Sequence, residues 1–169
     1  MKLKSTKFLF LYRSFLFKYV NFTSDNKDLK SIVNALNIKN NKKRLEYVFD
    51  ETIKHINKYY EKDLCKFKDG KCIVQRKRND NSKNGCCKSC HLVTDKGCPS
   101  KNVACKLIYC KTALDGMKKL KMKDIDILKC ISLRQRIILR SDYFRTKEEV
   151  IKDMRCGLIL YGLKILFEK

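Results

Sequence analysis

The chain has 169 residues, 44% of them hydrophobic, enough for one or two small domains with a real core, which excludes wholesale disorder. Forty Lys and Arg against 18 Asp and Glu leave a formal charge of +22, which excludes an acidic, solvating chain. The longest apolar run, 8–20, is broken by Arg13 and Lys18 and is too short to span a bilayer.

Residues 1–60 read as helical. Lys2, Lys4 and Lys7 imitate the start of a secretory signal, but no small-residue cleavage site follows, so a cytoplasmic location is expected. Residues 8–20 are apolar nearly all round, as a buried or partner-facing helix would be. After the turn-forming Thr23-Ser24-Asp25-Asn26, residues Leu29, Ile32, Val33 and Leu36 keep a 3.6-residue period. Asn40-Asn41-Lys42-Lys43 interrupts the period. Leu45, Val48, Phe49, Ile53, Ile56, Tyr59 and Tyr60 then resume it over four turns.

Residues 61–112 change character. Few of their side chains other than cysteine are large and apolar, and they hold Gly70, Gly85, Gly97 and the only proline, Pro99. Such a segment cannot offset its ordering entropy by burial and needs staples. Asp69-Gly70 is a preferred pair for a two-residue hairpin turn. It predicts a small β-hairpin in which Lys68 pairs with Lys71, Phe67 with Cys72 and Cys65 with Val74.

Residues 113–169 return to helical periodicity. Ile125, Leu128, Ile131 and the run Ile137 to Leu139 predict a helix ending near Arg140. Thr146-Lys147-Glu148-Glu149 has the form of a capping box ahead of Val150, Ile151 and Met154. The apolar stretch 157–167 is too short for a membrane span and is expected to pack on 8–20. The expected fold class is mainly α: N- and C-terminal helices form one core around an irregular cysteine-rich insert that carries the hairpin. Left uncovered, the apolar ends would instead serve a protein partner or self-association.

Eight of the ten cysteines fall between residues 65 and 110. Cys130 and Cys156 stand apart in apolar-periodic segments, as buried inert thiols do. Clustering of this kind means that the thiols serve each other. In the expected hairpin Cys65 and Cys72 are diagonal neighbours with Cα atoms about 7–8 Å apart. That is too wide for an unstrained disulfide and suits two thiolates on one ion, through bonds of about 2.3 Å. Cys87-x2-Cys90 has the spacing of a metal knuckle, whose tight turn aims both sulfurs at one ion. Cys86 and Cys87 are adjacent and point apart. Cys105 and Cys110, five apart, fall on different faces of either a helix or a strand.

Two four-cysteine sites follow from these constraints. One takes Cys87, Cys90, Cys98 and either Cys105 or Cys110; the other takes Cys65, Cys72, Cys86 and whichever remains. Cys105 is favoured in the first. His91, beside Cys90, is expected to be solvated, and His55, mid-helix, to be structural.

The paired cysteines with C-x2-C (Cys86, Cys87, Cys90), followed by Leu92, Gly97-Cys98 and Ala104-Cys105-Lys106-Leu107, resemble a zinc- or iron-chelating cysteine-rich family of bacteria in which eight cysteines recur. The resemblance covers residues 65–110, and Val103-Ala104 stands where that family has Arg-Pro. It implies chelation of zinc or iron, or an iron–sulfur cluster, and no settled activity.

The expected function is therefore a cytoplasmic metalloprotein, holding zinc in two four-cysteine sites or an iron–sulfur cluster, in a structural, redox or sensory role. The alternative is a basic nucleic-acid-binding protein with zinc knuckles. The charge is spread evenly, at +8, +8 and +6 over residues 1–60, 61–112 and 113–169, and lysine outnumbers arginine 31 to 9. That pattern also suits an AT-rich coding bias on a solvated surface. A secreted disulfide scaffold is disfavoured by the adjacent Cys86-Cys87 and the missing signal. No phosphate loop, dinucleotide fingerprint, nucleophile elbow or zinc-protease helix points to an enzyme.

Overall fold

The structure, a computed structural model, describes residues 1–7, 9, 19–60, 64–66, 68–69, 71–77, 91–92, 94 and 102–156. Asparagines open its first two helices. Asn26 Oδ1 accepts the Asp28 N–H at 2.8 Å and starts a 3-10 turn, Lys27–Leu29, that runs into α1 (Lys30–Asn37). Asn40 Oδ1 accepts the Lys43 N–H at 3.0 Å at the start of α2 (Asn41–Tyr60), so the polar interruption in the sequence is a helix cap. Asn37, the last residue of α1, clamps the incoming chain. Its Oδ1 accepts the Phe22 N–H at 2.8 Å and its Nδ2 donates to the Phe22 carbonyl at 2.9 Å.

α2 is the hub. Its buried stripe, Leu45, Val48, Phe49, Thr52, Ile56 and Tyr60, follows the helical period and meets α1, α4 (Val103–Leu107), α7 (Lys147–Arg155) and a 3-10 turn at Asp126–Cys130. α6 (Leu133–Ser141) packs against α7 and α4, with Ile138 and Leu139 fully buried. Two smaller helices, α3 (Ile73–Lys77) and α5 (Lys111–Leu114), pack on each other. The core is one cluster that reaches from Leu3 and Leu9 to Met154. The expected packing of 157–167 on 8–20 lies almost wholly outside the described residues.

The capping box at Thr146 forms as its sequence suggests. Thr146 Oγ1 accepts the Glu149 N–H at 3.3 Å, and the Thr146 N–H donates to Glu149 Oε2 at 2.8 Å. That backbone bond, helped by Arg145 at 3.5 Å, holds the Glu149 carboxyl below its ordinary range. A depressed folded-state value adds stability above the unfolded carboxylate range and loses it as pH falls through the folded value. Glu149→Gln should therefore lower the unfolding free energy from urea titration at neutral pH by about a few tenths of a kcal/mol. The difference from the parent chain should vanish on acidification.

Two expectations require correction. The chain is mainly helical, but the small β-hairpin is absent: no strand occurs among the described residues, and Lys2 with Thr23 and Lys68 with Lys71 form isolated bridges. The turn itself closes, since Lys68 and Lys71 exchange both backbone hydrogen bonds at 3.0 Å and Asp69 takes φ 52°. The pairing stops there. Lys66, at φ 42°, leaves the extended region, the Ile73 N–H donates to the Cys65 carbonyl at 2.9 Å, and the chain winds into α3. Gln75 Oε1 accepts the Cys72 N–H at 2.9 Å, which caps that helix. The would-be strands are only about four residues long, and no further strand among the described residues extends them into a sheet, so a lone hairpin is not favoured.

The single helix expected from Ile125 to Arg140 is also corrected. It is two 3-10 turns, Met122–Asp124 and Asp126–Cys130, followed by a separate α6. Ile125, Leu128 and Ile131 are spaced by three, the 3-10 period, and all are buried. Ser132-x-x-Gln135 is itself a capping box: Ser132 Oγ accepts the Gln135 N–H at 3.1 Å and Gln135 Oε1 accepts the Ser132 N–H at 2.9 Å.

Candidate metal centre

Four of the eight clustered cysteines, Cys65, Cys72, Cys105 and Cys110, lie in the described part, all half-buried and none in a disulfide. Cys86, Cys87, Cys90 and Cys98 lie outside the described residues. Cys72 directly precedes α3, Cys110 caps α5, and α3 packs on α5, so the fold brings the segments carrying these two cysteines together. Cys65 and Cys110 both rest against the hydrophobic core. Cys110 Sγ accepts the Ala113 N–H at 3.4 Å, the backbone-to-sulfur bond that orients ligands in metal knuckles. Cys105 sits on α4 instead, against α2 and α6, so Cys105 and Cys110 have different neighbours.

Among the described residues, no three His, Cys, Asp or Glu side chains converge as metal ligands. His55 and His91 are both exposed. The described thiols fit a zinc or iron–sulfur donor set in chemistry, being outside any disulfide and clustered in sequence; a complete four-thiolate site has to draw on Cys86, Cys87, Cys90 or Cys98.

Cys130 belongs to the core. It is 2% exposed, and its thiol donates to the Ile32 carbonyl at 3.9 Å. Beside it a cleft of ≈ 410 Å³ is lined by Arg44, Cys130, Ser132, Arg134 and Gln135. Burial lowers the Arg44 guanidinium from its ordinary value, and Cys130 acts in the opposite direction. Arg44 is spoken for by structure: Nη1 donates to the Ile38 carbonyl at 3.2 Å and Nη2 to Asn41 Oδ1 at 3.0 Å. Cys156 ends α7, and its N–H donates to the Lys152 and Asp153 carbonyls.

Sequence reasoning missed Asn102. It is fully buried, and its side-chain amide links α4 to the loop between α6 and α7. Its signal was present in the sequence, an N-cap residue directly ahead of Val103 and Ala104. Among the described residues no helix is long and apolar enough to cross a membrane. No family model, curated protein or solved structure matches this chain.

Proposed function

We propose that the chain is a cytoplasmic metalloprotein that holds zinc, or an iron–sulfur cluster, through the thiolates of Cys65, Cys72, Cys86, Cys87, Cys90, Cys98, Cys105 and Cys110. The observation that carries this reading is the crowding of eight of ten cysteines into residues 65–110, and no described cysteine is in a disulfide. The proximity of α3 and α5 supports grouping Cys72 with Cys110 and Cys65 in one site, completed by Cys86. Cys87, Cys90 and Cys98 would then share the other site with Cys105. The metal's role is structural, because α3 buries no residue of its own. The likeness to the chelating bacterial family belongs to this same proposal. Knuckles on a chain of charge +22 also suit weak, salt-sensitive contact with nucleic acid as a second role.

Alkylation of the freshly purified chain under native conditions, read by mass spectrometry, tests the reading. The eight clustered cysteines should be protected together and released together by chelator, because a metal-bound thiolate is a poor nucleophile. Immediate labelling of Cys65, Cys72 and Cys110, with or without chelator, would count against it.

A further inference from the structure

A second site has no cysteine in its described lining. A cleft of ≈ 620 Å³ opens between α4, residues 119–123 and α6. From α6 it takes Leu133, Arg136, Ile137 and Arg140, which recur at i, i+3, i+4 and i+7 and so form one stripe. The other face of α6 holds Ile138 and Leu139 in the core, so this helix is apolar on two sides. On the outer side Leu133 is 63% and Ile137 44% exposed, an unusual cost for two aliphatic residues one turn apart. The opposite wall is pinned in place: Tyr60 Oη accepts the Leu120 N–H at 3.0 Å, and Tyr59 Oη donates to the Lys118 carbonyl at 3.0 Å.

The rim has one sign. Lys119, Lys121, Lys123, Arg136 and Arg140 line the cleft, with no carboxylate among its described lining residues. The nearest acid in sequence, Asp124, accepts the Lys121 backbone N–H at 3.1 Å. Arg136 Nε is buried without a hydrogen-bond partner, so this guanidinium is not saturated by the fold.

We propose that this cleft docks an acidic amphipathic helix of a partner protein. The apolar stripe of α6 takes the apolar anchors of the incoming helix, and the cations meet the carboxylates flanking them. Arg136 supplies a fork that matches a carboxylate. A second copy of this chain is a poor occupant, because two molecules of charge +22 repel. Single-stranded nucleic acid is also disfavoured: the lining is aliphatic and offers the single ring of Tyr143 for stacking.

The test uses the full chain and a fluorescein-labelled model peptide of about 18 residues, with Leu at i, i+3, i+4 and i+7 and Glu on the remaining face. Anisotropy at about 0.15 M salt should show saturable binding. A scrambled peptide of identical composition should bind at least about tenfold more weakly, since its charge is the same and its apolar face is gone. Leu133→Ser with Ile137→Ser should cost at least about tenfold in affinity for the ordered peptide. Both side chains are exposed, so far-ultraviolet circular dichroism and the urea midpoint should stay at parent values and exclude misfolding as the cause. Arg136→Gln with Arg140→Gln should weaken binding and flatten its salt dependence. A labelled single-stranded oligonucleotide should bind the parent and the serine variant equally. The proposal is overturned by any of three results: no saturable binding of the ordered peptide, binding indifferent to the serine variant or to scrambling, or oligonucleotide affinity that falls with the serine variant.

Discussion

Stripping the metal is expected to loosen residues 65–77 and leave the helical core standing. None of that stretch's described side chains is fully buried, and its backbone leans on a few short-range hydrogen bonds. Lys68 and Lys71 exchange two backbone hydrogen bonds, α3 buries nothing, and Cys65 and Ile73 are only partly covered by the core. Each ordered residue costs on the order of 1–2 kcal/mol in backbone entropy, and a few half-buried side chains do not offset that. A structural zinc on four thiolates contributes about 10–16 kcal/mol of apparent binding energy, enough to close the gap. The flanks need no such help, because α2 alone buries Leu45, Val48, Phe49, Ile56 and Tyr60 against α1, α4 and α7. A strong chelator, or Cys65→Ser with Cys86→Ser, should therefore let amides in residues 71–77 exchange orders of magnitude faster, while most far-ultraviolet helix signal survives. α4 should stay protected although it carries Cys105, since Val103, Ala104 and Leu107 are core residues. If dithiothreitol alone produces the loosening and chelators do nothing, the clustered cysteines are disulfides.

Asn102→Ala should destabilise the core itself, by about 3–4 kcal/mol. Asn102 Nδ2 donates to the Asp142 carbonyl at 2.8 Å and to the Arg145 carbonyl at 3.0 Å, while Oδ1 accepts the Ala104 N–H at 2.8 Å. The substitution removes a donor from two carbonyls and the acceptor of one helix N-terminal N–H, and the bonds to Asp142 and Ala104 are buried. Those carbonyls belong to the turn between α6 and α7, where Phe144 takes φ 60° and costs strain that its anchors must offset. Asn102→Asp separates the two halves of the role. It keeps the acceptor for Ala104 but turns a negative oxygen toward both carbonyls, so it should cost at least as much as alanine. Urea unfolding of the three chains checks this. An Asn102→Asp chain as stable as the parent would reduce Asn102 to an ordinary helix cap.

The parts of the fold written in a 3.6-residue period could be read without coordinates. The buried positions of α1 and α2, and the Thr146 box ahead of α7, follow directly from where apolar and capping residues stand. Where periodicity was ambiguous the sequence misled. A spacing of three, as in Ile125, Leu128 and Ile131, serves a 3-10 turn as well as an α-helix, and the Ser132–Gln135 box that divides the two went unread. Asp69-Gly70 specified its turn, since the Lys68–Lys71 pair closes. A turn signal does not supply strands, however, and Gln75 gave the chain a helical alternative three residues past Cys72. Long-range consequences were not legible at all. Nothing local reveals that Asn102 reaches 40 residues along the chain to Asp142, or that α3 and α5 pack. The cationic cleft was hidden for the same reason: an even spread of lysine in sequence gives no sign of five cations converging on one aliphatic trough.

Metal content and absorption of the chain, purified without oxygen and without added metal, test the central claim most directly. The account predicts one of two outcomes: a colourless protein with about two zinc ions per chain, or a brown one with iron and labile sulfide. In either case the metal should be lost in step with the appearance of eight alkylatable thiols. A metal-free protein that shows the same amide protection in residues 71–77 as the freshly isolated chain would contradict it.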